Sequence, residues 1–179
     1  TLIVSGTASA NTLTSGGTEI VASGGTAANA IVSAGASLIF SAGGQVAGLL
    51  TDYGTITGAA LGSGDILVVQ PGGRTSGTTA FAGGSAFVSS GGTASGTVLS
   101  SGGSQILASG ATALATRISG GGTETVSSGA VESGATVASG GVLAIRAGGS
   151  AASVTLSVSG TETVLGTDSG ADLIAGAQV

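Results

Sequence analysis

The chain has 179 residues, 37 of them Gly and 41% of them hydrophobic, with no Trp, Met, Cys or His. Charged residues make up 6%, against roughly 25% in ordinary globular domains, and three arginines, no lysine and eight acids leave a net charge of −5. That balance argues against nucleic acid or anionic lipid as a partner, and the missing Cys and His remove disulfides, thiol chemistry and the usual zinc ligands.

The chain opens on Thr1-Leu2-Ile3-Val4-Ser5-Gly6 with no initiating Met and no signal-peptide pattern, which reads as a processed or excised segment. Glycine pairs, reduced to their first member at Gly35, Gly110 and Gly129, then recur with alternating gaps of 8 and 11 residues, first at Gly16, Gly24, Gly35 and Gly43 and again from Gly64 to Gly148. Their sum of 19 is a repeat that runs nearly end to end. Such a period signals stacked units. Short β-prone stretches, Thr18–Ala22, Ala86–Ser89 and Gln105–Ala108, lie between Ser-Gly-Gly turns and are too short for helices. Glycine at the corners supplies a positive φ without steric cost. Apolar runs such as Ile66-Leu67-Val68-Val69 fall far short of the ~20 residues that span a bilayer, and glycine at every third residue, as collagen needs, is absent.

Aligned on 19 residues, the repeats give columns. Val21, Phe40, Val69, Val88, Leu107, Val126, Ile145 and Val164 form one that points inward, with Leu2 in phase with it. Leu13, Val32, Thr51, Ala80, Leu99, Ile118, Val137 and Leu156 form the core position of another wall. Ala8, Ala27, Val46, Thr75, Ala94, Ala113, Glu132 and Ala151 are mostly small and suit a narrow interior. Glu19, Leu38, Leu67, Ala86, Gln105, Glu124, Leu143 and Glu162 are mixed, which implies partial exposure.

The register breaks once, between Gly54 and Gly64, so that Asp52–Ser63 reads as a short or irregular turn within a solenoid spanning 1–165. Residues 166–179 read as a terminal turn. The expected fold is all-β: a right-handed parallel β-solenoid of about nine 19-residue rungs, stacked at about 4.8 Å into a rod roughly 43 Å long. A β-sandwich of hairpins is the alternative, and it predicts no strict period.

The phrases at 15–27 (Ser-Gly-Gly-Thr-Glu-Ile-Val-Ala-Ser-Gly-Gly-Thr-Ala), 90–105 and 121–129 resemble the AIDA-type repeat in passenger domains of self-associating autotransporter adhesins of Gram-negative bacteria. The resemblance covers roughly residues 1 to 165. It implies a β-helix at the cell surface or released from it, roles in adhesion, autoaggregation and biofilm, a host or bacterial surface receptor, and in some members heptose on Ser and Thr. The autotransporter β-barrel is not part of this segment. Gly166–Gly176 resembles instead the entry to an RTX-type nonapeptide array, in which Asp-bearing turns bind Ca²⁺. With one copy and no following turn the metal assignment stays open, as does the choice between autotransporter and type I secretion.

No catalytic cluster is expected, and no cofactor. The acids are Glu19, Asp52, Asp65, Glu124, Glu132, Glu162, Asp168 and Asp172. Glu124 and Glu162, two rungs or about 9.6 Å apart, fit an inverting glycosidase on separation alone, but they read better as solvated face charges. An ice-binding Thr array is interrupted by Gln45 and Arg74. The open ends of a solenoid offer unpaired backbone groups. The expected function is therefore a non-enzymatic, self-associating extracellular element, packed side by side or stacked end to end as a filament, without membrane insertion of this segment.

Overall fold

Strands of two to four residues separated by glycine turns cannot form a stable hairpin alone, and here each pairs in parallel with the strand one repeat away. The computed structural model describes residues 1–173 and 177–178. Among these residues there is no helix, and the chain winds as a β-solenoid with three strands per turn. The first wall is a ten-stranded sheet from Leu2–Val4 through Thr18–Val21 and Thr55–Thr57 to Thr167–Ser169. The third wall, also ten-stranded, runs from Thr12–Leu13 to Ala177–Gln178. The second wall is divided into three strands ending at Gln45–Ala47 and seven beginning at Ala60–Leu61.

The turns stack as regularly as the strands. The Gly72 N–H donates to Gly91 O, Gly91 to Gly110, Gly110 to Gly129 and Gly129 to Gly148, over 2.7 to 3.1 Å. Each of these glycines has φ between 75° and 83°, a region L-residues rarely enter. The turn backbone thus forms its own hydrogen-bonded ladder, which satisfies groups that would otherwise be orphaned. The second glycine of a pair has a different reason. A Cβ on Gly103 would overlap the carbonyl carbon and oxygen of Ala80 on the preceding rung.

The interior is a stack of aliphatic side chains, and Val21, Leu38, Leu50, Leu67, Leu99, Leu143 and Leu156 are fully buried. Two expected positions move. Leu2 pairs with Glu19, not Val21, and is half exposed, because the first repeat is shorter and Val4 takes the core place above Val21. Thr51 faces outward, paired with Ile31 and Val68, and Asp52 enters the lumen between Val32 and Val69.

The break in period has a simple geometry. Before it, the four-residue strands Thr18–Val21 and Ser37–Phe40 belong to the first wall; after it, Ile66–Val69 and Ser85–Val88 belong to the third. The repeat has slipped by one side of the coil. Sequence columns therefore change walls: Phe40 lies on the first wall, whereas Val69 lies on the third. Rung spacing adapts locally, with Leu38 over Ile56 and Ile56 over Thr75. In the second wall, where the sheet divides, the Asp65 carboxylate accepts Gly48 N–H at 2.8 Å and Gly62 N–H at 2.9 Å, replacing the lost ladder bonds.

Candidate functional site: an acid-bearing lumen and an uncharged wall

Side chains two residues apart on a strand share a face, so Glu19 follows Val21 into the interior. The whole mixed column does the same, which corrects the expected partial exposure. Glu19, Gln105, Glu124 and Glu162 are no more than 1% exposed. Glu132 and Asp52 join them from other columns, both at 0%. Asp168, stacked on Ala151, turns a fully buried Oδ1 inward as well.

These groups are held differently. Asn11 Nδ2 donates to Glu19 at 3.0 Å. Asp52 accepts Gly54 N–H at 2.9 Å, while its other oxygen has no partner among the described residues. Burial pushes the Asp52 carboxyl up to about 7, against the pull of the Gly54 and Arg74 backbone N–H groups. Glu162 is also raised to about 7 by burial, with the Asp168 charge adding to it.

The densest cluster lies across two rungs at Gln105, Thr116, Glu124 and Glu132. Gln105 stacks directly on Glu124, and its Nε2 donates to Glu124 Oε1 at 2.8 Å. The Thr116 hydroxyl lies 3.3 Å from Glu124 Oε1 and 3.2 Å from Glu132 Oε2. Burial first, then the Glu132 charge, holds the Glu124 carboxyl well above the usual range. Glu132 rises to about 7 through burial, tempered by donation from Thr116. Of two acids sharing one buried space, Glu124 thus holds its proton the more strongly.

The same geometry removes the Glu124 and Glu162 pair as a polysaccharide-cleaving site. Glu124 and Glu162 do stand two rungs apart with Leu143 between them, but all three side chains are sealed in the lumen. A polymer cannot reach them, and they are not solvated face charges. Among the described residues no group of three or more His, Cys, Asp or Glu is placed to hold a metal. In the calcium-like stretch Asp168 points inward and Asp172 is exposed, while residues 174–176 lie outside the described residues.

With the acids inside, the exterior is no longer acidic. Arg74, Arg117 and Arg146 are exposed, whereas among the acids Asp172 is exposed and Asp65 and Asp168 are half-buried. The formal charge of −5 therefore does not describe the surface, and it loses its force as an argument about partners.

The charges that remain outside are unevenly placed. Arg74 stands on the first wall and Arg117 and Asp172 on the second, while Arg146 and Asp65 lie in the turns bordering the third, directly after Val142–Ile145 and directly before Ile66–Val69. The outward face of the third wall has none among the described residues. It carries Ile31, Thr51, Val68, Phe87, Ile106, Thr125, Ala144 and Thr163 in one row, and Leu49, Ile66, Ser85, Ser104, Thr123, Val142 and Thr161 in the next. Ile31, Leu49, Ile66, Phe87 and Ile106 are each about two-fifths exposed. No sequence column displayed this face whole, because the slip joins residues from different columns.

A parallel solenoid that seals most of its acids inside and presents one hydroxyl-rich, uncharged wall belongs to the rod-like repeat proteins, which work through their surfaces. Residues 82–141 match the family described as "Adhesin of bacterial autotransporter system, probable stalk". The fold is also similar to the crystal structure of a TibC-catalysed hyper-glycosylated TibA fragment (55–350), with 31% identity and a TM-score of 0.61, over 99% of this chain and 76% of that one. No curated protein sequence matches. The chain belongs to the AIDA-type family of autotransporter adhesin passengers.

Proposed function

We propose that this segment is a non-enzymatic stalk element, displayed at or released from the outer surface of a Gram-negative bacterium, that promotes autoaggregation and biofilm by lateral pairing of rods. The uncharged third wall carries the proposal. Its seven four-residue strands make a face of about 34 Å by 13 Å, or roughly 450 Å². Two such faces in contact bury about 900 Å², close to the ~1,000 Å² lower bound of specific interfaces. One contact is therefore weak, and many rods on two cells multiply it. A flat Thr, Val and Ile surface without charge meets its own copy with no repulsion and no desolvated ion.

Sedimentation velocity tests the reading. The wild-type segment should associate reversibly, and Phe87→Glu with Ile106→Glu should weaken association at least tenfold, since each new charge would be buried unpaired (about 1.4 kcal/mol per tenfold). Association equal in variant and wild type contradicts lateral pairing through this wall. The TibA likeness supports glycosylation of exposed turn serines such as Ser15, Ser90, Ser109 and Ser128. Sugar-sized additions on these residues in natively produced protein would support it, and unmodified serines would retire it.

A further inference from the structure

A carboxamide, a hydroxyl and two acids that meet in a buried interior are the components of an acyl transfer. Thr116 is fully buried, and its hydroxyl lies 3.5 Å from Gln105 Nε2. The amide carbon is one bond, about 1.3 Å, from that nitrogen, so Oγ1 needs to close by no more than about 2 Å to reach attack distance. Gln105 Oε1 and Glu124 Oε2 are buried in the same space without partners. The neighbours in the stacks are small, with Ala86 above Gln105, Ala113 and Ala151 around Glu132, and buried Ala135 beside Thr116 in the next repeat. That leaves the polar groups room to approach.

We propose that Gln105 and Thr116 form an intramolecular ester crosslink, with Glu132 as general base and Glu124 as general acid. Glu132 takes the proton from Thr116 Oγ1, whose lone pair adds to Gln105 Cδ. Glu124, whose Oε1 accepts from Nε2, carries its proton on the unpartnered Oε2 and, as the carboxyl turns, delivers it to that nitrogen. The C–N bond breaks, ammonia leaves, and an O–C ester bond remains. Carboxamide and alcohol become ester and ammonia, with no oxidant or co-reactant. The dyad ends with its single proton moved from one member to the other. Protonation of the departed ammonia in water draws the exchange forward, and burial of Gln105 and Thr116 shields the ester from bulk solvent.

The contrasting protonation of the two acids suits the assigned roles. Glu124 is held protonated far above the ordinary range, and Glu132, at about 7, is substantially ionised at neutral pH. The product ties the third wall to the entry of the second across the lumen, within one turn of the coil. It is a staple in a chain that has no cysteine to make a disulfide.

Intact-mass spectrometry of the purified segment decides the matter. The wild type should be lighter than its sequence by one ammonia. Trypsin cuts after Arg74 and Arg117, so peptide 75–117 should carry the loss, with no backbone fragments separating between 105 and 116. Alkaline hydroxylamine should open the link by adding its own mass. Thr116→Ser should keep the loss, Thr116→Val and Gln105→Leu should abolish it, and Glu132→Gln should slow its appearance at least tenfold, with far-UV circular dichroism confirming the fold. A wild-type mass equal to the sequence, both as isolated and after a week at neutral pH, overturns the proposal. So does a loss that persists in Thr116→Val, or one mapping to peptide 1–74, where Asn11 and Asn29 could cyclise.

Discussion

Asp52 offers the cleanest measure of what a buried acid does to this fold. It interrupts an aliphatic stack between Val32 and Val69, and only one of its oxygens has a partner. Its carboxyl titrates near 3.8 in an ordinary setting and near 7 in the lumen. Between those values the folded chain binds the proton and the unfolded chain does not, so stability falls as pH rises and the loss is complete above about 7. The interval corresponds to about 4 kcal/mol. Asp52→Asn keeps the acceptor for Gly54 N–H and removes the ionisation. Urea unfolding followed by circular dichroism at about pH 5 and about pH 8.5 should show the stability of the variant relative to wild type rising by about 3 kcal/mol from the acid to the alkaline condition. The other lumen acids are common to both proteins and cancel in the difference. A difference that is the same at both pH values would refute the reasoning.

Other outcomes follow from the same coordinates. Gly103→Ala should destabilise by at least about 3 kcal/mol, because its Cβ overlaps Ala80 backbone, whereas Gly64→Ala, with open space but φ of 82°, should cost about 1–2 kcal/mol; thermal unfolding of the two variants compares them. Ser153 adopts φ of 56°, so Ser153→Gly should be neutral to stabilising, by up to about 1 kcal/mol in urea titration. Leu99→Ala, in a fully buried site, should lose about 2–5 kcal/mol by the same assay.

Much of the architecture was legible because glycine and aliphatic residues mark it directly. The spacing of Gly72, Gly91, Gly110 and Gly129 encodes a turn ladder, and the column from Val69 to Val164 encodes one inner stack. The inward position of Glu19 was also encoded, since it stands two residues from Val21. The charge obscured it, because acids are seldom buried without partners. What the period could not show was the slip near Asp52–Ser63. A spacing of 10 in place of 8 or 11 has no unique geometry until the Asp65 carboxylate takes Gly48 and Gly62, and the long strands pass from the first wall to the third. The uncharged outer face emerges only after that rotation. The Gln105, Thr116, Glu124 and Glu132 cluster likewise combines three columns, since only Gln105 and Glu124 share one, and no linear alignment brings the three together.

Lateral pairing through the third wall is the central claim, and the absence of native cysteine allows a direct measurement. Single thiols can be placed on the third wall at Val68, Ile106 or Ala144, on the first at Ser95 and on the second at Thr136, and interchain disulfide formation followed under mild oxidation. Covalent dimers from the third-wall series, with Ser95→Cys and Thr136→Cys remaining monomeric, are the expected result. Dimers from the first or second wall with none from the third would contradict it.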